Sequence, residues 1–145
     1  MNASAGRWGL LLVTLRLEGG QELPLVIDTG SSWTLFDKSL EKKLGRRLGT
    51  ETLSSWSGRT EATAYSAPKV CLGGTALVVE KALACNLKRL KSPSSARGVL
   101  GMDCLEHYCI QLDFQAGKIR FLDPERVGAA ELGAPFPLAF RGKLP

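Results

Sequence analysis

The sequence has few of the side chains that metal sites most often use. Its one histidine, His107, has no second histidine at zinc-ligand spacing, and its four cysteines contain no C-x-x-C pair. We therefore expect neither a metal site nor a cofactor. The cysteines all lie in or beside apolar runs, which favours reduced thiols in the core but leaves a disulfide open. They are Cys71, Cys85, Cys104 and Cys109.

The sequence also lacks a long apolar run. None approaches the roughly 18 consecutive apolar residues of a membrane-spanning helix, so we expect no membrane insertion. The apolar stretch 8–13 is followed by Arg16 and Glu18 and has no small-residue cleavage site, which favours a strand over a signal peptide. This predicts a soluble chain that is cytoplasmic or, if excised from a longer precursor, periplasmic or secreted. The compartment itself stays open.

The two clusters of positive charge in the chain contain no aromatic residues. The 19 Lys and Arg exceed the 14 Asp and Glu, which gives a net charge of +5, and cations cluster within residues 42–47 and 88–91. These clusters could attract an acidic partner. Neither contains interleaved aromatic residues that could stack on bases, so a solvated helix face and a solvated loop are favoured. Nucleic-acid binding is the minor alternative.

What the chain does contain is typical of a single, mainly β domain spanning residues 1–145. With 145 residues, 44% of them hydrophobic, it can enclose one core and is too short for two independent domains. Its 16 glycines and 7 prolines punctuate short runs rich in Val, Leu and Thr, which predicts strands joined by turns. No internal repeat or low-complexity linker divides the chain.

The first predicted hairpin delivers an aspartate to a turn. Alternating apolar and polar residues over 11–18 predict a half-buried strand, and a Gly-Gly turn follows. Pro24 stands near the start of the returning run 23–27, where a missing amide is tolerated at an edge or at a strand beginning. Asp28 follows at the end of that run.

The rest of the chain alternates short strands with two helical turns. Asp37 is the predicted N-cap of a short helix, and a second helical turn is predicted at 102–107. The apolar stripe of the first helix consists of Leu40, Leu44 and Leu48. Hairpins are predicted with arms 52–56 and 60–66, 69–72 and 75–87, and 109–114 and 118–122.

The segment around Asp28 joins an apolar strand to a polar turn. Gly30 permits a close backbone approach, and the hydroxyls of Thr29 and Ser31 can orient a carboxylate. All of these residues form turns readily, so an ordinary polar turn is the alternative interpretation. Peptide hydrolysis by water needs one group that accepts a proton and another that donates one. A lone aspartate therefore supplies half of that chemistry.

Two segments carry a resemblance to a known family. Residues 25–32, which read L-V-I-D-T-G-S-S, resemble the catalytic signature of pepsin-like and retroviral-type aspartic proteases. Residues 98–101, G-V-L-G, resemble the family's apolar-apolar-Gly segment, which lies beside the catalytic loop. The order of elements matches over about residues 10–122. The resemblance implies a mainly β, single-lobe, retropepsin-like closed β-barrel with one or two short helices, and a tail at 123–145 that serves as a dimer-interface strand or a linker.

The sequence departs from the two-lobed pepsins in one respect. Apart from Asp28, no aspartate is followed by Thr-Gly or Ser-Gly, so the chain has a single catalytic triplet. Resemblance to retropepsins implies that the second carboxylate is Asp28 of another copy, in a homodimer with two-fold symmetry. It further implies an aspartic endopeptidase that cleaves peptide or protein substrates with a water activated by the dyad. Such a pair shares one proton, and an acid-leaning pH optimum is expected.

The resemblance also assigns roles to the neighbours of Asp28. Thr29 is expected to buttress the two loops across the dimer axis and Gly30 to offer a close backbone amide. Ser31 is expected to hydrogen-bond the carboxylate.

The hairpin 52–66 occupies the place of the family's flap, which closes over substrate and excludes water. We expect it to be mobile, and Trp56, Ser57 and Gly58 at its tip are candidate substrate-binding residues. A partly buried strand aromatic is an equally good interpretation of Trp56.

Other interpretations of the chain stay open. The fold and the triplet are compatible with a non-catalytic protein- or peptide-binding module, or with one half of a two-lobed protease. Asp103 is expected to cap or solvate the helical turn that it begins, and His107 to be structural or exposed. The apolar segment 135–140 is expected to form an intersubunit strand or to lead into a further domain.

Overall fold

Strands dominate the computed structural model, which describes residues 10–55, 58–90, 95–128, 134 and 137. The strands are β1 (Leu12–Leu17), β2 (Glu22–Ile27), β3 (Leu35–Asp37), β4 (Arg47–Ser55), β5 (Gly58–Ser66), β6 (Val70–Leu72), β7 (Thr75–Leu77), β8 (Lys81–Cys85), β9 (Gly98–Leu100), β10 (Cys109–Asp113) and β11 (Lys118–Leu122). The helices are two 3₁₀ helices, Lys38–Lys43 and Leu87–Leu90, and α1 (Met102–Leu105). The mainly β prediction is therefore confirmed.

Nine of the described strands form one open sheet, in the order β4-β5-β8-β3-β9-β2-β1-β6-β7. Within the described residues, β10 and β11 pair with each other in a separate two-stranded sheet. The predicted closed barrel is wrong, because the edge strands β4 and β7 do not pair with each other. β7 has 3 residues and β4 buries none of its side chains fully. Neither offers the long, buried edge that closure of a barrel needs.

The strand that leads to Asp28 lies inside the sheet, between β1 and β9. β2 runs antiparallel to β1 and parallel to β9, with Val26 beside Val99. Pairing with β9 begins at Leu25, and the preceding Pro24 carbonyl accepts the Arg97 N–H at 2.7 Å. Pro24 is thus the third residue of β2, already paired with Thr14 of β1, and it stands just before the pairing with β9 begins, where a missing amide is tolerated. The parallel pairing brings the carboxyl ends of β2 and β9 side by side.

Alternation along the strands divides the apolar residues between the two faces of the sheet. Neighbours such as Phe36 and Leu35 belong to different clusters, because successive side chains of a strand point to opposite faces. The main core lies on one face and is completed by residues of the last hairpin, such as Ile110 and Phe121. The other face carries the hairpin-side cluster: Leu35, Ala62, Ala64, Leu83, Cys85, Leu87 and Val99, with Trp33 and Leu53 packed against it.

The first helix is shorter than the leucine spacing predicts. Asp37 caps it as predicted, by accepting a backbone N–H at 3.1 Å, but the 3₁₀ helix has only 6 residues. The chain then packs against Ser66 so closely that a Cβ on Gly45 would lie 2.1 Å from the Ser66 hydroxyl oxygen. Leu48, predicted on the helix, lies in β4 and is 51% exposed. Strand pairing therefore overrides the local leucine pattern.

The later elements follow the prediction with one exception. The hairpin 109–122 is confirmed as β10 and β11, and the helical turn as α1. The predicted long arm 75–87 is instead divided into β7, β8 and the start of the second 3₁₀ helix.

No helix in the described part of the chain is long and apolar enough to cross a membrane. Apart from Pro137, the segment 135–140 lies outside the described residues.

Candidate active site

Asp28 directly follows β2, and its backbone is tied to β9. The Asp28 N–H donates to the Leu100 carbonyl at 3.1 Å, which extends the pairing of the two strands by one residue. Burial ends at this point: Ile27 is buried, whereas Asp28, Thr29 and Gly30 are exposed. The candidate catalytic carboxylate therefore stands at the end of a buried strand, on an open surface of the chain.

A tight turn orients the Asp28 carboxylate. The Gly30 N–H donates to Asp28 Oδ1 at 2.9 Å, and the Ser31 N–H donates to the Asp28 carbonyl at 3.1 Å. A Cβ on Gly30 would lie 3.2 Å from Oδ1, so a larger residue would crowd the carboxylate. Hydrogen bonds to an ionised carboxylate are stronger than neutral ones. The backbone of the turn therefore holds the carboxylate in a defined direction.

The two hydroxyl residues predicted to support Asp28 differ in their surroundings. The Ser31 hydroxyl donates to the Trp33 carbonyl at 2.8 Å, so its proton is directed to the backbone of the segment and not to the Asp28 carboxylate. Thr29 is exposed next to Asp28. The roles of Thr29 across a dimer axis and of Ser31 at the carboxylate stay predictions.

The segment after β9 supports the turn. The Met102 N–H donates to the Ser31 carbonyl at 2.8 Å. A Cβ on Gly101 would lie 2.5 Å from the backbone carbonyl of Trp33, a distance that forces one of the two segments to move. Glycine at this position therefore allows the start of α1 to lie directly against the segment that carries Asp28.

Thr34 and Asp103 form a buried polar pair next to the turn. Thr34 Oγ1 donates to Asp103 Oδ1 at 2.8 Å and accepts the Gly101 N–H at 3.2 Å, and both side chains are 0% exposed. The prediction that Asp103 caps or solvates its helical turn is wrong, because Gly101 is the N-cap residue and the Asp103 carboxylate faces inward. In the sequence, the one sign of this buried pair is a polar Thr34 inside the run 33–36. Its partner, Asp103, is 69 residues away.

The cysteines are free thiols, and two of them are buried in the core. Burial, with a smaller contribution from the Asp103 charge, raises the pKa of Cys104 to about 12. Burial and, second, the Asp37 charge raise the pKa of Cys85 to about 11. These thiols stay protonated near neutral pH, which makes them poor nucleophiles and poor metal ligands. His107 is exposed, and its ring meets a neighbouring tyrosine edge to face.

The hairpin of β4 and β5, which is predicted to be the flap, lies at one edge of the sheet. β5 pairs with β8, whereas β4 pairs only with β5 within the described residues. Gly58 is exposed with φ +115°, which glycine adopts without strain, and its carbonyl accepts the Ser55 hydroxyl at 3.1 Å. Trp56 and Ser57 lie outside the described residues. Substrate binding by all three tip residues stays a prediction.

Lys81 joins this hairpin to the segment that follows the Asp28 turn. Its Nζ lies 2.6 Å from Glu51 Oε1 and 3.9 Å from the centroid of the Trp33 ring. Lys81 is on β8 and Glu51 on β4, so the ion pair reaches across β5. No sequence spacing indicates this cluster, because Lys81 and Glu51 are 30 residues apart.

A groove of about 490 Å³ also lies beside the hairpin, but it is separate from the candidate active site. Its lining includes Lys38, Thr50, Arg59, Thr63 and Asn86, and it does not include Asp28. Its walls come from residues 59–63 of β5, from one residue of β4, from the end of β8 and from the start of the first 3₁₀ helix. The open surface at Asp28, and not this groove, carries the chemistry described above.

A buried strand that leads into an Asp-Thr-Gly turn, a neighbouring strand that is followed by glycine, and a hairpin at the edge of the sheet are the features that the resemblance to aspartic proteases implies. A family model described as aspartyl protease matches residues 13–104, which is more than half of the chain. The chain therefore belongs to the aspartyl protease family. The matched region includes the Asp28 turn, the hairpin and the segment 98–101. A search of curated proteins gave no match.

Proposed function

We propose that the protein is an aspartic endopeptidase whose active site is completed by Asp28 of a second copy in a homodimer. Membership of the aspartyl protease family supports peptidase chemistry in general. The proposal of a dimeric active site rests on one observation. The Gly30 N–H orients the Asp28 carboxylate, yet the turn that carries it is exposed on the surface of the chain. Proteolysis by a dyad needs a second acid and a site closed to bulk water. A second copy supplies both.

The exposed turn suits a two-fold contact. In an isologous interface the same surface of each subunit meets its mate, so residues next to the symmetry axis contact their own copies. Asp28, Thr29 and Gly30 are exposed at the tip of a turn that is fastened to β9 from below. Two such tips placed across an axis bring the two Asp28 carboxylates together and bury both turns.

The paired carboxylates divide the proton transfers of hydrolysis. Two carboxylates in contact share one proton, because both cannot be ionised at low cost. The ionised Asp28 takes a proton from water as the water oxygen bonds to the scissile carbonyl carbon, and the protonated Asp28 gives its proton to the carbonyl oxygen. The resulting gem-diol breaks its C–N bond as a proton reaches the amine nitrogen. No cofactor is needed for these steps.

The substrate class follows from the surfaces around the turn. The β4–β5 hairpin acts as the flap and covers an extended peptide. Leu53 of the hairpin and Trp33 of the segment after the turn are half-buried and pack against the hairpin-side cluster, so each keeps some apolar surface exposed. Apolar pockets with few polar groups bind apolar side chains. We therefore propose peptide or protein substrates with apolar side chains near the scissile bond.

Replacing Asp28 by Asn tests the proposed function. Asn keeps the size of the side chain but cannot act as a general base, so cleavage of a peptide library should be abolished while the circular dichroism spectrum is kept. Asp123→Asn is the matched control, because Asp123 is also exposed and also accepts the N–H of the second following residue, at 3.0 Å. An Asp28→Asn protein that cleaves as fast as wild type would refute the assignment.

The concentration dependence of the same assay tests the dimer. If two chains build the site, the rate per chain rises with protein concentration and then saturates as the dimer fills. A rate per chain that stays constant from nanomolar to micromolar protein contradicts a homodimeric site. A monomer that binds peptides but never cleaves them supports a binding module or one half of a two-lobed enzyme.

A further inference from the structure

Lys81 makes two contacts with its ammonium group. Its Nζ is 2.6 Å from a carboxylate oxygen of Glu51 and sits 3.9 Å from the centre of the Trp33 indole. A cation over an indole face within about 6 Å is attracted by the ring quadrupole. One ammonium group therefore binds an edge strand and an aromatic ring at the same time.

The surroundings of the ion pair distinguish it from an ordinary surface pair. The side chains of Lys81 and Glu51 are 22% and 35% exposed, whereas those of Lys69 and Glu18, which are 2.8 Å apart, are 81% and 68% exposed. Exposed pairs contribute little because water and salt screen them, and shielding from water strengthens the attraction. The Lys81 pair therefore contributes more than the Lys69 pair.

The contacts of Trp33 place this pair next to the candidate active site. The Trp33 carbonyl accepts the Ser31 hydroxyl of the Asp28 turn at 2.8 Å, and its backbone packs on Gly101. Its ring contacts Lys81 and packs against the hairpin-side cluster together with Leu53 of β4. The backbone of Trp33 thus belongs to the turn, and its side chain belongs to the contact with the hairpin.

The outer strand of the hairpin, β4, is held in the sheet through β5. In the sheet, β4 pairs with β5 alone among the described strands, so its position depends on β5 and on side-chain contacts. The Lys81–Glu51 pair reaches β4 directly from β8, across β5. It fixes the outer strand of the hairpin relative to Trp33 and, through Trp33, relative to the turn that carries Asp28.

We propose that Lys81 is a positioning residue that fastens the β4–β5 hairpin to Trp33 and so sets how the hairpin closes over substrate. The inference rests on the proposed function, because it takes the hairpin to be the flap. Loss of the Lys81 charge releases β4 and weakens substrate binding, while the Asp28 turn keeps its own hydrogen bonds. The effect therefore falls on KM more than on kcat.

The test compares Lys81→Met, Lys81→Arg and Lys69→Met. Methionine keeps an apolar stem without the charge, and arginine keeps a cation that can bind both Glu51 and the indole. Lys69→Met removes the exposed lysine–glutamate pair described above, with the same change in net charge. Hydrogen exchange is measured on the backbone amides of β4 and β5, and KM and kcat are measured with a peptide substrate.

Lys81→Met should speed up hydrogen exchange in β4. It should raise KM about tenfold, which matches the combined strength of one ion pair and one cation–π contact, and it should change kcat less than about twofold. Lys81→Arg should stay near wild type, and Lys69→Met should change neither readout. Unchanged exchange in β4 of Lys81→Met overturns the inference, and so does faster exchange spread over the whole sheet. If even the wild type does not cleave peptides, the proposed function fails, and the exchange of β4 still decides whether Lys81 fastens the hairpin.

Discussion

Replacing Thr34 by Val probes the buried contact next to the Asp28 turn. Valine has nearly the shape of threonine and lacks the hydroxyl. The Thr34 hydroxyl donates to Asp103 Oδ1 at 2.8 Å and accepts the Gly101 N–H at 3.2 Å, and the side chain is 0% exposed. The substitution therefore removes a donor from a buried carboxylate and an acceptor from a buried amide, and water does not reach either group.

The expected loss follows from these two contacts. Leaving a buried polar partner without its hydrogen bond costs about 1–3 kcal/mol, more when the partner is charged. The Gly101 bond is the longer of the two, so we expect Thr34→Val to lower the free energy of unfolding by about 2–4 kcal/mol in total. Against a typical domain stability of about 5–15 kcal/mol, this is a large change. Thr34→Ser, which keeps the hydroxyl and loses a methyl group, should cost about 1 kcal/mol.

Urea unfolding followed by far-ultraviolet circular dichroism measures this loss, at one fixed protein concentration because dimerisation adds to stability. Thr63→Val, at a half-buried position of β5, is the control for removing a threonine hydroxyl from a strand region. A loss below about 0.5 kcal/mol for Thr34→Val, or one equal to that of Thr63→Val, would refute the reasoning that the hydroxyl stabilises the Asp103 and Gly101 contacts.

Two further predictions concern packing and the buried thiols. Gly101→Ala should destabilise the protein by about 2 kcal/mol or more, since the new Cβ would lie 2.5 Å from the Trp33 carbonyl. Gly74→Ala is the control in the same urea assay and should cost little, because a Cβ at Gly74 would have no atom within 4 Å. Cys85 and Cys104 should resist alkylation by iodoacetamide at pH 8, because burial raises the pKa of Cys85 to about 11 and that of Cys104 to about 12. Labelling of both thiols within minutes, measured by mass spectrometry, would contradict this prediction. Since the unfolded thiols ionise at lower pH than the native ones, these two groups should lower the free energy of unfolding as pH rises above 9.0.

The parts of the site that were predictable from sequence are local ones. The alternation that leads into β2 and the Asp-Thr-Gly turn lie within a few consecutive residues, so their spacing alone places Asp28 at the end of a strand. The N-cap at Asp37 and the last hairpin were predictable for the same reason. Each depends on contacts between residues that are close in the chain.

The parts that sequence reasoning missed depend on residues that are distant in the chain. Thr34 meets Asp103 across 69 residues, and Lys81 meets Glu51 across 30, so neither contact leaves a spacing to recognise. In the sequence, Leu48 fits the apolar stripe of a helix. In the structure, the segment before it packs against Ser66, and Leu48 lies in β4. The closed barrel failed likewise, because closure is decided by whether two edges of the sheet meet, and each edge looks like an ordinary strand in the sequence.

A mixing experiment tests most directly whether two Asp28 side chains form one active site. Wild-type protein is held at a fixed concentration, above that at which the rate per chain saturates, and increasing amounts of Asp28→Asn protein are added and allowed to exchange subunits. If two chains build the site, mixed dimers are inactive, and the cleavage rate should fall to about half at equal amounts and to about a tenth at ninefold excess. A cleavage rate that stays constant at every ratio would show that one chain carries a complete active site and would contradict the account.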